Sequence, residues 1–172
     1  RQLAEARLAP SRYPVLAMSV AETELVSIGE SARGHLACWG YFQSVKTEAN
    51  RKFIAAYRAR FGAHRSTSDP IATAHTQVHL WAEAVRKAGS VEPADVARAA
   101  PGCRLASPLG DIHIRPNHHV TRSAMIGRVG GDGQIHVLWA SANQFEPLPW
   151  LGIERAGLIN EPVIKAARVG VQ

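Results

Sequence analysis

The sequence predicts an α/β fold in which short buried strands alternate with helices, followed by a C-terminal β ribbon. Before Pro101, apolar runs of strand length are separated by segments with helical periodicity. After Pro101, apolar residues alternate along short runs, which is typical of antiparallel strands. The 172 residues, 46% of them hydrophobic, are enough for one core of ordinary size or for two small lobes.

The first part of the chain has a strand–helix–strand pattern. Two prolines end a short helix over residues 1–9, and the apolar run 13–19 follows as a buried strand. Residues 21–29 are predicted to be a helix that ends at Gly29, and residues 34–42 a second buried strand. This order within about thirty residues predicts a βαβ unit with parallel strands.

Three helices are predicted next. In the helix 47–61, Thr47 is a suitable N-cap, and apolar residues repeat at helical spacing up to a terminal glycine. Asp69 is predicted to be the N-cap of the following helix, with Pro70 at its first position. A third, shorter helix begins near Pro93.

The alternating runs "DIHIR", "AMIGRV" and "QIHVLW" predict one small antiparallel ribbon. "GGDGQ" (130–134) separates the last two runs and is a strong hairpin signal, because glycine readily adopts positive φ. The proline-rich tail beyond residue 145 is expected to be irregular, with a short helix over 161–171.

The charge and cysteine content narrow the class of protein. The net charge is +6, but the basic residues are dispersed or lie on the solvated face of the helix 47–61, so no nucleic-acid partner is expected. No apolar run approaches the roughly 18 residues that span a bilayer. Cys38 and Cys103 are either buried free thiols or one disulfide formed in an oxidising compartment.

Four of the eight histidines, His113, His118, His119 and His136, lie in the ribbon and its turns. They are interpreted as polar strand and turn residues, and His113 could face His136 across the ribbon. The alternative, a metal-dependent hydrolase, requires three or four converging ligands. HExxH, CxxC, GxSxG and phosphate-loop patterns are absent from the sequence. We therefore expect no enzyme, no metal site and no cofactor.

The segment "MSVAETEL" (18–25) is a candidate ligand site, because it follows a buried strand and begins a helix. Ligands of open α/β sheets bind at the carboxyl ends of strands, near helix N-termini. Ser19 and Glu22 would lie at such an edge, although they could instead form a capping box. Trp39 and Tyr41, at the end of the next strand, could form an aromatic wall beside them, and the adjacent Phe42 could as well pack in the core.

Five segments, in order from about residue 13 to residue 150, together resemble one family: "PVLAMSVAETEL", "GHLACWGYFQSVKTEANRKFIAAYRARFG", "SDPIATAHTQVHLWAEAVRKAG", "PNHHVTRSAMIGRVGGDGQIHVLW" and "EPLPW". They are similar to the second half of the urea and short-chain amide substrate-binding proteins. Those proteins are type I periplasmic binding proteins of the branched-chain amino-acid group, which serve ABC transporters.

The resemblance implies a partial type I periplasmic-binding-protein-like fold that closes around a small polar solute. Residues 1–66 would form βα units of the second lobe. Residues 67–150 would contribute crossover helices and the β ribbon to the first lobe, followed by an irregular tail over 151–172. The N-terminal lobe would be absent, so this chain would be a fragment.

This chain departs from the family at a position that is often aromatic and that is His75 here. If His75 lines the cleft, it alters solute preference. The C-terminal tail also departs from a transporter receptor, which favours the alternative of a ligand-sensing domain in an amide-responsive regulator.

The function that the resemblance implies is binding of urea, a short-chain amide or an amino acid for an ABC importer in the periplasm or outside the cell. Ser19 and Glu22 would bind the solute, with Trp39, Tyr41 and His75 around it. The partner would be an ABC permease, or a regulatory module in the cytoplasm if the chain is a sensor. Uncovered apolar helix faces predict a homodimer or a swapped assembly.

Overall fold

A computed structural model describes residues 2–149. Its elements, in chain order, are α1 (Gln2–Glu5), β1 (Leu16–Ala17), α2 (Glu22–Ile28), a 3₁₀ turn (Gly29–Ala32), β2 (Leu36–Trp39), α3 (Glu48–Phe61), α4 (Asp69–Ala88), α5 (Pro93–Ala99), β3 (Arg104–Ser107), β4 (Gly110–His113), β5 (Met125–Val129) and β6 (Ile135–Ala140). The irregular tail and short helix predicted beyond residue 150 lie outside the described residues. None of the described helices has the length and apolarity that crossing a membrane requires.

Strands β1 and β2 form the predicted parallel pair, with α2 between them in the chain. Leu16 is opposite Leu36, and Ala17 is opposite Ala37. Both strands are shorter than their apolar runs. Just before β1, the backbone N–H of Val15 donates to the Nδ1 atom of His35 at 3.1 Å, and the Val15 carbonyl accepts the Leu36 N–H at 2.9 Å.

The start of α3 agrees with the sequence prediction, and that of α4 differs by one residue. The Thr47 hydroxyl accepts the backbone N–H of Asn50 at 3.2 Å, which is the N-cap expected for α3. Ser68, not Asp69, is the N-cap of α4, and Asp69 is its first helical residue. The Asp69 carboxylate instead contacts Arg122, a tertiary partner that local spacing does not reveal.

The prediction of a single ribbon is wrong, because the strands after Pro101 form two separate antiparallel pairs. β3 pairs with β4 in a two-stranded sheet, whereas β5 and β6 join a four-stranded sheet of order β1-β2-β5-β6. β5 runs antiparallel to β2, with Trp39 opposite Met125. The hairpin at residues 130–134 is confirmed, with Gly133 at φ 71°.

His113 and His136 do not face each other. His113 is opposite Arg104 in the two-stranded sheet, and His136 is opposite Arg128 in the four-stranded sheet. The intervening chain forms an isolated bridge between Ile114 and Val120 and then passes to the other sheet. This connection separates two runs that look continuous in the sequence.

Buried apolar residues form two clusters. The first cluster lies among α3, α4, α5, β3 and β4 and consists of Tyr41, Phe53, Ala72, Leu80, Ala84, Val96, Cys103, Leu109, Ile112 and Ile114. The second cluster lies on the four-stranded sheet and consists of Leu25, Ala32, Ala37, Phe42, Val129 and Ile135.

The boundary predicted at residue 66 does not coincide with the division between the clusters. Phe53 of α3 lies in the first cluster with α4, whereas Val129 and Ile135 lie with β1 and β2 in the second. The adjacent residues Tyr41 and Phe42 belong to different clusters, so the chain crosses between them immediately after β2. It crosses back in the connection between β4 and β5.

The two cysteines are free thiols that lie on different elements. Cys103 is buried in the first cluster, and Cys38 is half-buried on β2. Of the two interpretations that the sequence left open, the structure therefore shows the free thiols.

Candidate functional site

Six buried hydrogen-bonding residues lie where the two clusters meet, at the carboxyl ends of β1 and β2. We call this group the polar seam: Glu22, Tyr41, Gln43, Asn50, Thr67 and Asp69. Its members come from four stretches of chain, and each is at most 6% exposed. The carboxyl ends of neighbouring parallel strands are where open α/β sheets bind ligands.

Glu22 is the acidic residue at the centre of this candidate site. It begins α2, and its Oε1 atom accepts the backbone N–H of Gln43 at 2.6 Å. Its Oε2 atom is buried without a hydrogen-bond partner among the described residues. Burial raises the pKa of Glu22 to about 7, with smaller contributions in the same direction from Asp69 and Glu24. An unsatisfied buried carboxyl oxygen of this kind is a ready acceptor for a ligand N–H.

The capping box predicted for Ser19 and Glu22 is wrong. Ala21 occupies the N-cap position of α2, and its backbone N–H donates to the Oε2 atom of Glu24 at 2.8 Å. Glu24 therefore takes the helix-start role, which leaves Glu22 directed into the seam. Ser19 is exposed in the bend that follows β1.

Gln43 connects the parts of the seam. Its Oε1 atom accepts the Thr67 backbone N–H at 2.7 Å and lies 3.1 Å from the Thr67 hydroxyl. Its Nε2 atom donates to the Oε1 atom of Gln134 in the β5–β6 turn at 2.6 Å. The sequence did not single out Gln43, although it lies in the family-like segment from Gly34 to Gly62.

Tyr41 is a fully buried residue in this structure and not part of an open wall. Its hydroxyl donates to the Oδ1 atom of Asn50 at 2.7 Å and lies 2.9 Å from the Thr67 hydroxyl. Asn50 in turn donates to the Gln43 carbonyl at 3.0 Å. Burial raises the pKa of the Tyr41 phenol well above its ordinary value, so it stays protonated.

Trp39 and His75 lie on different elements, and His75 is exposed on α4. The Nε1 atom of Trp39 donates to the Val20 carbonyl at 2.8 Å, which holds the half-buried indole beside the chain that leaves β1. His75 lies on α4, with its ring 4.8 Å from that of Phe53 and 4.4 Å from that of His79. Burial and the neighbouring His79 lower the pKa of His75.

An ion pair that the sequence did not reveal adjoins the seam. The Nη2 atom of Arg122 lies 2.5 Å from the Oδ2 atom of Asp69, and its Nη1 atom donates to the Thr73 hydroxyl at 2.9 Å. Arg122 is also packed against Gly40, where an added Cβ would lie 2.5 Å from its Nη2 atom. The pair therefore joins the start of α4 to the chain that follows β2 and to the connection between β4 and β5.

An open apolar groove of about 700 Å³ lies between α4, α5 and β4, and Thr73 and Arg122 beside Asp69 also line it. Its apolar side chains include Leu80, Trp81, Val91, Val96, Leu109 and Ile112. Trp81 and Val91 are 55% and 70% exposed, which is unusual for residues of this size. The groove is a surface for apolar contact.

The ribbon histidines do not assemble into a metal centre. The Nδ1 atom of His113 lies 3.2 Å from Arg115, and the Nε2 atom of His136 lies 3.1 Å from Asp132. Among residues 2–149, no group of three or more His, Cys, Asp or Glu side chains is arranged to hold a metal ion.

The fold of this chain is also found in solute-binding proteins of ABC transporters. The chain superposes with a TM-score of 0.73 on the ABC transporter solute-binding protein of Rhodopseudomonas palustris BisB5, solved with 3,4-dihydroxybenzoic acid. That protein is 25% identical, and the match covers 85% of this chain and 42% of the other. An amino acid ABC transporter substrate-binding protein from Pseudomonas fluorescens Pf-5, 22% identical, has the same fold with a TM-score of 0.72 over 85% of this chain and 40% of its own.

The chain belongs to the type I periplasmic binding protein family, of the branched-chain amino-acid ABC receptor type. Residues 1–156 match the family model described as periplasmic binding protein domain. The broader family expected from the sequence motifs, the type I periplasmic binding proteins, is therefore confirmed, as is the partial α/β fold, whereas the narrower urea and short-chain amide group stays a prediction.

The curated relatives carry two kinds of name. "Leu/Ile/Val-binding protein homolog 6" of Brucella abortus is 29% identical over 63% of this chain. A protein named limonene hydroxylase from Geobacillus stearothermophilus is 30% identical over 69% of this chain. The matches span 28% and 21% of these relatives, respectively, so this chain corresponds to less than a third of either.

Proposed function

We propose that this chain contributes the Glu22 side of a binding site for urea or a short-chain amide, in a periplasmic protein that delivers the solute to an ABC permease. The observation that carries the proposal is the buried, unpaired Oε2 atom of Glu22 at the carboxyl ends of β1 and β2. A small solute has few atoms, so its specificity depends on matched hydrogen-bond partners, and each unpaired buried group costs about 1–3 kcal/mol. The role is binding and not catalysis.

The surrounding residues fit a small polar solute. Ser19 follows β1 and would contribute a hydroxyl. Trp39 ends β2 and would contribute an aromatic surface. Tyr41 would support the site from within, since its hydroxyl holds Asn50 and Thr67. His75 would tune preference from α4. One similar protein is solved with an aromatic acid, and another is named as a Leu/Ile/Val-binding protein homolog. Aromatic acids and branched-chain amino acids are therefore the competing solutes to test.

We place the two lobes of this protein on the two clusters. The four-stranded sheet with the second cluster would belong to one lobe, and α3, α4, α5, β3 and β4 to the other. The seam would then lie at the crossing between lobes, where closure on a solute shifts the open and closed populations. This placement puts the lobe boundary at the crossing after β2, whereas the resemblance implies a boundary at residue 66.

The apolar groove supports a second copy of this chain as a further partner. Trp81 and Val91 in the groove expose large apolar side chains, which favours burial against a partner. A dimer or swapped assembly would bury Trp81 and Val91.

Isothermal titration calorimetry of the full-length protein tests the solute assignment with urea, acetamide, L-leucine and benzoate. We expect binding of urea or acetamide, and a roughly 10- to 100-fold weaker affinity in Glu22→Gln, which keeps one acceptor but loses the charge. Glu30→Gln is the matched control, because Glu30 is exposed and pairs only loosely with Arg33 at 3.9 Å. No heat with urea or acetamide, or equal affinity in Glu22→Gln, would contradict the assignment.

A further inference from the structure

Each backbone and side-chain polar atom of Gln43 has a hydrogen-bond partner, and the partners lie on both sides of the polar seam. Its backbone N–H donates to the Oε1 atom of Glu22 at 2.6 Å. Its side-chain oxygen accepts the Thr67 backbone N–H at 2.7 Å, and its side-chain nitrogen donates to Gln134 at 2.6 Å. Its carbonyl accepts the Nδ2 atom of Asn50 at 3.0 Å. Gln43 is 6% exposed, so this buried network holds it in one orientation.

The bond between Gln43 and Glu22 determines which oxygen of the Glu22 carboxyl is left for another partner. The Gln43 N–H occupies Oε1, and Oε2 is the buried oxygen without a partner among the described residues. The terminal torsion of a glutamate side chain has a broad, shallow energy profile, so an untethered carboxyl turns easily. Hydrogen bonds to an ionised carboxylate are short and strong. This bond therefore fixes the direction of Oε2.

The position of the Gln43 amide depends in turn on contacts with two distant segments of the chain. On one side, Thr67 lies just before α4 and 24 residues along the chain from Gln43. On the other side, Gln134 lies in the β5–β6 turn, 91 residues along the chain. The Ser44 hydroxyl reinforces this second contact by donating to the Ile135 carbonyl at 2.6 Å. The side chain of Gln43 is therefore anchored at both ends.

We propose that Gln43 is a positioning residue of the solute site, a role that rests on the function proposed above. Its side chain, anchored between Thr67 and Gln134, holds its backbone N–H on the Oε1 atom of Glu22. That hold keeps the Oε2 atom directed to accept an N–H group of the solute. Gln43 acts through Glu22 and not by contact with the solute.

The hold on Glu22 is tested by ¹H–¹⁵N NMR of the full chain between about pH 5 and pH 9. The amide proton of residue 43 should lie downfield while Glu22 is a carboxylate and move upfield as that group takes up a proton. Asp69 and Glu24 also act on Glu22, so Glu22→Gln, in which the movement should vanish, assigns it to this carboxyl. Gln43→Met keeps the side-chain length without its hydrogen bonds and should reduce the movement. An amide proton that does not follow pH in wild type, or that behaves identically in Gln43→Met, overturns the positioning role.

The consequence for binding is tested by calorimetry with acetamide at about pH 8, where Glu22 is mostly ionised. Gln43→Met should bind acetamide about tenfold more weakly than wild type, because the acceptor oxygen is no longer held in place. Gln77 is an exposed glutamine of α4, so Gln77→Met is the matched control and should bind as wild type does. Equal affinities in Gln43→Met and wild type overturn the role in binding.

Two variants of the partner residue keep the test decisive if Gln43→Met fails to fold. Gln134→Leu removes the acceptor for the Gln43 side chain and should weaken acetamide binding about threefold. Gln134→Glu keeps an oxygen acceptor there and should bind as wild type does. Equal affinities in these two variants contradict the role. If neither wild type nor any variant binds acetamide or urea, the proposed function is overturned, while the NMR titration still decides whether Gln43 holds Glu22.

Discussion

The Oε1 atom of Glu22 accepts the backbone N–H of Gln43 at 2.6 Å, which ties the residue that begins α2 to the chain that leaves β2. The two residues follow neighbouring parallel strands, so the bond lies at their shared carboxyl edge. It leaves the Oε2 atom buried and unpaired among the described residues. Burial raises the pKa of this carboxyl to about 7, so its charge changes within the physiological range.

Glu22 gives the stability of the protein a defined pH dependence. Its pKa is about 7 when folded against an ordinary value of 4.5, so the folded state binds more protons between those two pH values. The free energy of unfolding therefore falls as the pH rises from about 4.5 to 7, by up to roughly 3 kcal/mol from this group. Glu22→Gln should remove that decrease and be more stable than wild type above pH 7.

Urea denaturation at about pH 4, 6 and 8 measures this effect. At the lowest pH the carboxyl is protonated in the folded state and mostly protonated in the unfolded state, so wild type and Glu22→Gln should differ least there. Glu30→Gln should follow the wild-type profile, because its side chain is exposed. Parallel pH profiles for Glu22→Gln and wild type would show that Glu22 titrates normally.

Tyr41→Phe is expected to destabilise the protein by about 1–3 kcal/mol, because it removes one hydroxyl and leaves Asn50 and Thr67 buried without that partner. Tyr57→Phe is the matched control, since Tyr57 is only half-buried on α3. Denaturant midpoints measure both changes. Equal, small losses in the two variants would mean that the Tyr41 hydroxyl contributes no more than a surface hydroxyl.

Gly127→Ala should destabilise the four-stranded sheet. An added Cβ would lie 2.5 Å from the Cγ2 atom of Ile135 and 3.0 Å from the Phe42 ring, both fully buried. Overpacking of this kind costs about 1–3 kcal/mol. Thermal unfolding compares it with Gly131→Ala, whose Cβ would meet only the flexible Arg33 side chain at 3.3 Å. A Gly127→Ala protein as stable as Gly131→Ala would contradict the packing described for β5.

Trp81→Glu should abolish self-association of this chain through the apolar groove. Trp81 lines the groove and is 55% exposed, so a charge there opposes burial against a second copy while costing the fold little. Light scattering after size-exclusion chromatography, at two protein concentrations, measures the change. Val26→Glu is the control, because Val26 is 85% exposed on α2. A wild-type chain that is monomeric at both concentrations would eliminate the dimer.

The elements that depend on neighbours in the chain could be predicted from the sequence alone. The helical spacing of apolar residues located α3 and α4, Thr47 was recognised as a cap, and the glycines of residues 130–134 indicated the β5–β6 turn. The parallel β1–β2 pair followed from the strand–helix–strand order. Each of these depends on local dihedral preferences and side-chain periodicity, which short stretches of sequence carry.

The tertiary structure alone decided which distant segments meet. β5 could have paired with β4, as the sequence suggested, but its partners are β2 and β6, because the β4–β5 connection returns the chain to the first sheet. Asp69 and Arg122 are 53 residues apart, and their contact depends on how α4 lies against that connection. Glu22 was recognised as a candidate from its position, whereas its burial and unpaired oxygen arise only when the two clusters close over the seam. Long-range packing sets these properties, since it determines which polar groups lose water and which find a partner.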